Sequence, residues 1–303
     1  MNLPKKVTII EVGPRDGLQN IKDFIESDVK IKFIQQLKEA GLPEMELTSF
    51  VSPKWVPQMA DANEVITATL GGTLRDFVLV PNKKGIEKLY ETSCKNAAVF
   101  VGVSNSFNKK NINKTTEESM LELTPQIEEL KEKGYFVRAC ISTSFYCPYE
   151  GKMAVDDVVE LCKRFEAIGV DELSVADTIG MANPTEVFQL FSKLKKELNS
   201  VMVTAHFHDT RGMGVANVFA ALQAGVDRFD TSAGGLGGCP FAPGASGNVA
   251  TEDIVYMLDS MGIETGVSLT GVVTALASLE PHLSKKFESK YYKLAQLNTT
   301  QNA

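Results

Sequence analysis

The stretch VDDVVELCKRFEAIGVDELSVAD, residues 155–177, contains a helix, a glycine and a strand in that order, and this order decides the fold. Apolar residues of its first half recur at the spacing of one helix face, at Val158, Leu161, Cys162, Phe165 and Ile168. Gly169 predicts the end of that helix, because glycine readily adopts the left-handed conformation found after many helices. DELSVAD is short and strand-like, so the stretch predicts a helix that turns directly into a strand.

The same order of helix, glycine and strand recurs in KEAGLPEMEL, KEKGYFVRA and LQAGVDRFD. Candidate strands cover residues 7–12, 44–49, 75–80, 97–103, 135–142, 171–177, 201–208 and 227–232. Strict alternation of strands with helices predicts parallel strands joined by right-handed crossovers. Eight such units within about 240 residues favour a closed (β/α)₈ TIM barrel over an open sheet. We expect residues 1–303 to form a single barrel domain, with residues from about 263 to 303 as appended helices.

The composition excludes several classes of protein. The 303 residues contain 31 basic and 38 acidic side chains, and the net charge of −7 argues against a general binder of nucleic acid or of anionic membranes. No apolar run approaches the roughly 20 residues of a membrane span, and MNLPKKVTII does not resemble a signal peptide. The five cysteines form no C-x-x-C pair. We therefore expect a cytoplasmic protein with reduced thiols, in which Cys162 packs in the core.

Polar residues follow three of the predicted strands, at the barrel end where catalytic groups gather. Arg15 and Asp16 follow the first strand, although an Arg-Asp neighbour pair is often only solvated. His206 and His208 end the seventh strand on the same face, and a hydrogen-bonded pair of histidines is the alternative there. Asn248 follows the eighth strand, where it could simply cap the next helix.

Barrel closure would bring these residues together, because the eighth strand then lies beside the first. Two imidazoles, a carboxylate and an amide oxygen form a suitable ligand set for Mg²⁺ or Mn²⁺, and the imidazoles also allow Zn²⁺ or Co²⁺. We therefore predict a metal site formed by Asp16, His206, His208 and Asn248.

Further carboxylates lie near the same rim. Glu46 and Asp177 end the second and sixth strands, where they could orient Arg15 or the histidines, and capping of a following helix is the alternative for Asp177. Glu252 lies one turn into the helix after Asn248, as a supporting residue or as a partner of the helix dipole. Cys239 lies in the glycine-rich loop SAGGLGGCPFAPGASGN, and no packing role explains a thiol there.

The chain resembles the hydroxymethylglutaryl-CoA lyases, which belong to a wider group of metal-dependent barrel enzymes with an R-D-G-x-Q segment. The resemblance rests on VGPRDGLQN, ELTSFVSPKWVPQMAD, SVADTIGMANP, AHFHDTRGMGVAN and SAGGLGGCPFAPGASGNVATED, which together span most of the chain. The family pattern around the cysteine usually reads S-V-A-G-L-G-G-C-P-Y, so this chain departs from it at Ala233, Gly234 and Phe241. We expect Gly234 to loosen the loop.

The resemblance implies a divalent cation, Mg²⁺ or Mn²⁺, on the four ligands, with Arg15 facing the thioester oxygen and Cys239 as the catalytic cysteine. It places Gln19 in the R-D-G-x-Q segment and implies supporting roles for Glu46, Asp177 and Glu252. The implied reaction is cleavage of 3-hydroxy-3-methylglutaryl-CoA to acetyl-CoA and acetoacetate. His206 or Asp16 would take the hydroxyl proton, and Cys239 would protonate the enolate carbon.

Three other functions remain open at this point. They are a Claisen synthase of the same barrel group, a lyase for a longer acyl chain, and a metal-binding barrel without catalysis. Lys109 and Lys110, after the fourth strand, could bind phosphates of CoA, although a solvated basic loop explains them equally well. The tail KLAQLNTTQNA lacks the cysteine of animal members, which favours the bacterial type of enzyme. We also expect a homodimer or another homo-oligomer.

Overall fold

A computed structural model describes residues 3–238 and 247–301, and its centre is a closed barrel of eight parallel strands. These strands are β1 Thr8–Glu11, β2 Glu44–Ser49, β3 Arg75–Leu79, β4 Asn96–Gly102, β5 Phe136–Ser142, β8 Glu172–Asp177, β9 Met202–Phe207 and β10 Arg228–Thr231. Each barrel strand pairs with the next barrel strand in chain order, so that β5 pairs with β8, and β10 pairs with β1 to close the barrel. The prediction of a TIM barrel with eight strands is confirmed.

Helices cover the outside of the barrel and alternate with its strands. They are α1 Ser27–Glu39, α2 Ala62–Thr69, α3 Lys83–Tyr90, α4 Asn105–Ile112, α5 Thr116–Glu132, α6 Val155–Ala167, α7 Pro184–Glu197, α8 Gly214–Gln223, α9 Thr251–Ser260, α10 Leu269–Leu279 and α11 Lys290–Gln301. The last two are the expected appended helices, and α10 packs against α1. In the part of the chain that the structure describes, no helix has both the length and the apolar character that a membrane span requires.

The glycines between helices and strands have the predicted conformation. Gly41, Gly134, Gly169 and Gly225 all lie in the left-handed region, with φ between 75° and 89°. Each follows a helix and allows the chain to reverse into the next strand within one or two residues. Cys162 is fully buried in α6, as expected from the apolar face of that helix.

The core between helices and strands is apolar, but the inside of the barrel also contains charged side chains. Ile10, Val12 and Phe77 form a separate apolar cluster there. Beside it runs a connected line of ion pairs, which we call the interior ion line and which comprises Arg75, Glu44, Arg228, Glu172, Arg138 and Asp230. The line begins at Arg75 in β3 and ends at Asp230 in β10. In the pairing of β10 with β9, Asp230 lies opposite His206.

One pair of strands was not predicted. Tyr146–Cys147 (β6) and Gly151–Lys152 (β7) form a small antiparallel hairpin between β5 and α6. Strands of two residues contain no periodic pattern, so the sequence offers no signal for them.

Candidate metal centre and its surroundings

Arg15 and Asp16 lie in a turn of π-helix, Gly13–Gly17, directly after β1. Such wide turns often occur at functional sites. A Cβ atom on Gly17 would lie 2.8 Å from both the Leu236 Cβ and the Ser232 Oγ, so only glycine fits between this turn and the chain after β10. The close packing brings Arg15 and Asp16 against the residues that follow the eighth barrel strand.

The Arg15 guanidinium is held between two carboxylates. Its Nη1 donates to Asp16 Oδ1 at 2.8 Å, and its Nη2 donates to Glu46 Oε2 at 2.6 Å. Burial would lower the pKa of Arg15, but Glu46 and Asp16 raise it, so the side chain is always a cation. Its Nε is buried without a hydrogen-bond partner among the described residues. Glu46, one of the predicted supporting residues, thus orients Arg15.

Asp16, His206 and His208 form a cluster with the spacing of metal ligands. One potential ligand atom from each lies within 4.8 Å of the other two, and the two imidazole ring centres are 5.3 Å apart. Burial, and then His206, lower the pKa of His208 to about 4, so its imidazole is neutral at pH 7 and retains a lone pair. Burial alone would raise the pKa of Asp16, but Arg15 and the two histidines hold it below its usual value.

Asn248 completes the group of four predicted ligands. It forms an antiparallel bridge with His208, and its Nδ2 donates to Asp16 Oδ2 at 2.8 Å and to the Leu236 carbonyl at 3.1 Å. It does not cap α9, whose N-cap is Ala250. The Oδ1 of Asn248 and the Nδ1 of His208 are buried and lack hydrogen-bond partners among the described residues. A carboxylate, two imidazoles and a buried amide oxygen that has no partner among the described residues fit a divalent cation.

The other predicted site residues lie at varying distances from this centre. Gln19 is close, because its Nε2 lies 3.4 Å from Asp16 Oδ1. Asp177 ends β8 but accepts the backbone N–H groups of Met181 and Ala182, both at 3.0 Å. Burial raises the pKa of Asp177 to about 6. Asp177 therefore shapes the loop after β8, and no contact in the described structure joins it to Arg15 by a hydrogen bond.

The two predicted phosphate-binding lysines are in the last turn of α4. Both Lys109 and Lys110 are exposed, and the Lys110 Nζ lies 4.0 Å from the centre of the Tyr149 ring. No contact in the described residues links either lysine to the candidate metal centre.

Glu252 lies in the first turn of α9 and is fully buried. Its carboxylate accepts the backbone N–H of Gly234 at 3.0 Å and the hydroxyl of Ser289. Burial raises the pKa of Glu252 to about 7. Gly234 is buried in a 3₁₀ turn with φ of 70°, and a Cβ there would lie 2.3 Å from the Phe287 ring. The expectation that Gly234 loosens the loop is therefore wrong, because this glycine is firmly packed.

The predicted catalytic thiol, Cys239, lies outside the described residues. The chain enters and leaves the segment 239–246 beside the candidate metal centre. A Cβ on Gly247 would lie 2.5 Å from the Gly237 carbonyl carbon, and one on Gly237 would lie 2.9 Å from Asn248 Nδ2. The flanking residues Gly237 and Gly247 therefore lie against each other next to Asn248.

Three buried charged residues near the site were not predicted from the sequence. Asp230 in β10 faces His206 Nδ1 at 3.1 Å, and Arg138 in β5 binds Asp230. Glu11 at the end of β1 accepts the backbone N–H groups of Gly13 and Ala233. Strands of parallel sheets are usually apolar throughout. The charged residues within VTIIEV, YFVRACIS and DRFDTS could therefore have indicated buried polar contacts at these positions.

Comparisons with known proteins agree with this geometry. The sequence pattern of the HMGL-like family matches residues 6–278. A hydroxymethylglutaryl-CoA lyase of Bacillus subtilis is 45% identical over 96% of this chain and 97% of its own length. The crystal structure of the Bacillus subtilis HMG-CoA lyase superposes with a TM-score of 0.94 at 44% identity, covering 98% of this chain and 100% of that one.

A third relative was solved with ligands. It is an HMG-CoA lyase from Acinetobacter baumannii in complex with coenzyme A and 3-methylmalate, with a TM-score of 0.90 and 37% identity over 95% of each chain. Identity of this extent over nearly the whole chain, together with the matching barrel, establishes the family. The chain therefore belongs to the HMGL-like family, among the hydroxymethylglutaryl-CoA lyases.

Proposed function

We propose that this protein cleaves 3-hydroxy-3-methylglutaryl-CoA to acetyl-CoA and acetoacetate with the help of a divalent cation, Mg²⁺ or Mn²⁺. The observation that carries the proposal is the position of a permanent cation, Arg15, beside the cluster of Asp16, His206 and His208. Family membership supports the lyase reaction, and the relative crystallised with coenzyme A supports an acyl-CoA substrate.

The chain's own ligands fit the cation. Asp16, His206, His208 and Asn248 would hold it, since they offer a carboxylate, imidazole nitrogens and an amide oxygen that no other described residue binds. A bound divalent cation supplies Lewis-acid stabilisation of oxygen atoms and a fixed geometry for the substrate.

A base must accept the proton of the substrate's C3 hydroxyl before the C2–C3 bond breaks. His206 would be fully engaged, with Nδ1 facing Asp230 and Nε2 free for the cation. Asp16 is engaged as well, because Oδ1 accepts from Arg15 and lies 3.4 Å from Gln19 Nε2, Oδ2 accepts from Asn248, and the cation would use a further lone pair. Both His206 and Asp16 therefore stay candidate bases in this proposal.

Cleavage leaves negative charge on the thioester oxygen of the acetyl-CoA enolate. Arg15 is suited to stabilise that charge, because Glu46 and Asp16 fix its guanidinium and its Nε has no hydrogen-bond partner among the described residues. A charged donor that is already oriented needs no reorganisation when the charge develops. In this proposal Cys239 then delivers a proton to the enolate carbon. Cysteine thiols in model peptides have a pKa of about 8.5, so this residue type suits a proton donor near neutral pH.

The test of the function is direct. Purified protein, Mg²⁺ and 3-hydroxy-3-methylglutaryl-CoA are mixed, and acetoacetate and acetyl-CoA are quantified. Equal amounts of both products are the expected result. If the protein instead condenses acetyl-CoA with a 2-oxo acid, it is a synthase. If the protein cleaves only longer homologues of 3-hydroxyglutaryl-CoA, it is a lyase for a longer acyl chain. If it turns over no thioester, a metal-binding barrel without catalysis is favoured.

The Cys239→Ala variant tests the proton donor. We expect kcat to fall by about 10²- to 10⁴-fold, the usual contribution of a general acid, with Mn²⁺ affinity unchanged. Cys94→Ala is the matched control, because Cys94 is buried in the connection between α3 and β4, where its thiol bonds to the backbone carbonyls of Asp76 and Asn96. A Cys239→Ala variant with most of its activity would remove this role.

Several features predicted from the sequence remain proposals. They are a cytoplasmic location, a homodimer or other homo-oligomer, a single domain over residues 1–303, and binding of CoA phosphates by Lys109 and Lys110. The exposure of both lysines on α4 supports the last of these only in that they are accessible to a ligand.

A further inference from the structure

The interior ion line ends at Asp230, next to His206. From Arg75, Glu44 and Arg228 it passes to Glu172, whose Oε2 lies 3.1 Å from Arg228 Nη2. Glu172 is followed by Arg138 at 3.5 Å, and Arg138 donates to Asp230. The proposed reaction uses none of these residues, yet the line connects the inside of the barrel with one of the candidate metal ligands.

Asp230 is surrounded by groups that require it to be an acceptor. Its Oδ1 accepts from Arg138 Nη2, and its Oδ2 accepts from Ser174 Oγ at 2.7 Å. Both Asp230 and Arg138 are almost completely buried, with side chains 3% and 1% exposed. A carboxylate paired with a buried guanidinium is ionised and can only accept hydrogen bonds. The His206 Nδ1, 3.1 Å from Asp230 Oδ2, must then supply the hydrogen.

We propose that Asp230 is a positioning residue that keeps the hydrogen of His206 on Nδ1 and directs its Nε2 lone pair towards Asp16 and His208. The inference rests on the proposed metal site. A neutral imidazole has one hydrogen and one ligating nitrogen, so fixing the hydrogen also fixes the ligand atom. Arg138 and Ser174 act through Asp230, because they hold its carboxylate in place.

A purely structural role would leave the contact with His206 unexplained. Arg138 and Ser174 already pair both oxygens of Asp230, so the buried charge is compensated without the imidazole. His208 provides the contrast, because its Nδ1 has no partner among the described residues. Of the two predicted imidazole ligands, only His206 is held by a carboxylate in the described structure.

The first measurement is made on the wild-type protein, and a variant is used only to assign its signals. The chain has three histidines, so long-range ¹⁵N–¹H correlation spectra of histidine-labelled, metal-free protein resolve each ring. The His206→Gln variant assigns its signals. At about pH 8, where a free imidazole is neutral, we expect His206 to show the Nδ1–H pattern. An Nε2–H pattern in the wild-type protein would overturn the proposal.

The second measurement follows the metal. In Asp230→Asn the amide can donate to Nδ1, so we expect loss of the pure Nδ1–H pattern and Mn²⁺ affinity lower by about 10- to 100-fold in a titration of free Mn²⁺. Ser174→Ala should give a smaller loss, because the carboxylate stays but one of its donors is removed. Folded Asp230→Asn with wild-type Mn²⁺ affinity would contradict the proposal.

Glu172→Gln is the matched control. Glu172 belongs to the same interior ion line and is equally buried, but it bonds to Thr204 and Arg228 rather than to His206. We expect this variant to keep the Nδ1–H pattern of His206 even if its melting temperature falls. Loss of the pattern would contradict the proposal, because the position of the hydrogen on His206 would then depend on any buried charge in the line and not on Asp230 specifically.

The design also covers a variant that does not fold and a protein that binds no metal. Should Asp230→Asn not fold, the Arg138→Gln/Asp230→Asn double variant removes both buried charges together and takes its place, with the same expected spectra and affinity. A wild-type protein that binds no Mn²⁺ would refute the proposed metal site. The spectra of metal-free protein would then still decide how Asp230 positions His206.

Discussion

At the residue scale, the site depends on two neighbours that reach the same point. Adjacent residues of a strand face opposite sides, but the π-helical turn after β1 places both Arg15 and Asp16 on the rim. There Arg15 bonds to Asp16 and Glu46, while Asp16 also accepts from Asn248. Arg15 and Asp16 together thus join the turn after β1 to Glu46 in β2 and to Asn248, which follows the eighth barrel strand.

Replacement of Arg15 by lysine tests this geometry rather than the charge. A lysine ammonium is a point charge that cannot span Asp16 and Glu46 with a planar fork. We expect Arg15→Lys to lower kcat by about 10²- to 10³-fold, as for loss of one oriented donor, with Mn²⁺ affinity changed little. Steady-state kinetics and Mn²⁺ titration measure the two effects. Arg164→Lys, at an exposed ion pair with Glu117, is the matched control and should behave as wild type.

The sequence predicted which strand ends meet at the rim better than which charged side chains pair inside the barrel. Asp16, His206 and Asn248 could be brought together because barrel closure alone sets which strand ends are neighbours. Asp230 and Arg138 could not be paired, because their contact depends on the register across the inside of the barrel. A shift of one residue in a strand would turn either side chain to the other face. Register is a property of the packed barrel, which no single strand sequence encodes.

At the element scale, the 3₁₀ turn Ala233–Gly235 connects β10 to the glycine-rich loop. Phe287, from the segment between α10 and α11, is 4% exposed and occupies the space beside Gly234. The family pattern has alanine at this position, so the ring of Phe287 fills space that a methyl group would need. The appended helices thereby contribute to the base of the loop.

A pair of glycine variants separates this packing from backbone strain. Gly234 and Gly235 have nearly the same φ, 70° and 65°, but a Cβ on Gly235 would meet its nearest atom only at 3.5 Å. We expect Gly235→Ala to cost about 1–2 kcal/mol from the left-handed conformation alone, and Gly234→Ala to cost about 1–3 kcal/mol more from overpacking. Urea unfolding measures both. Phe287→Leu should recover part of the loss in Gly234→Ala but not in Gly235→Ala, and equal losses in both alanine variants would show that Phe287 plays no part.

At the scale of the whole molecule, two buried glutamates join parts of the chain that are distant in sequence. Glu11 connects β1 to Ala233 and, through Thr251 Oγ1 at 2.6 Å, to α9. Glu252 connects α9 to Gly234 and to Ser289 in the C-terminal region. Burial raises the pKa of each carboxyl to about 7, against an ordinary glutamate value of 4.5. The contacts that join β1, α9 and the C-terminal region beside the candidate metal centre therefore include two carboxyls whose ionisation is opposed by burial.

The stability of the fold should consequently depend on pH between about 4.5 and 7. Because the folded-state pKa of Glu252 is above its unfolded value, the folded state binds the extra proton, and this stabilisation is lost as the pH rises through 7. In Glu252→Gln the amide can still accept from Gly234 and donate to Ser289, but it cannot ionise. We expect its free energy of unfolding to fall less than that of the wild type between pH 5 and pH 8, and at pH 8 to equal or exceed it. Urea unfolding at both pH values measures the difference, and Glu64→Gln, an exposed carboxyl in α2, should keep the wild-type slope. If Glu252→Gln keeps that slope too, Glu252 is ionised in the folded protein throughout this range, and its contacts with Gly234 and Ser289 are those of a buried anion.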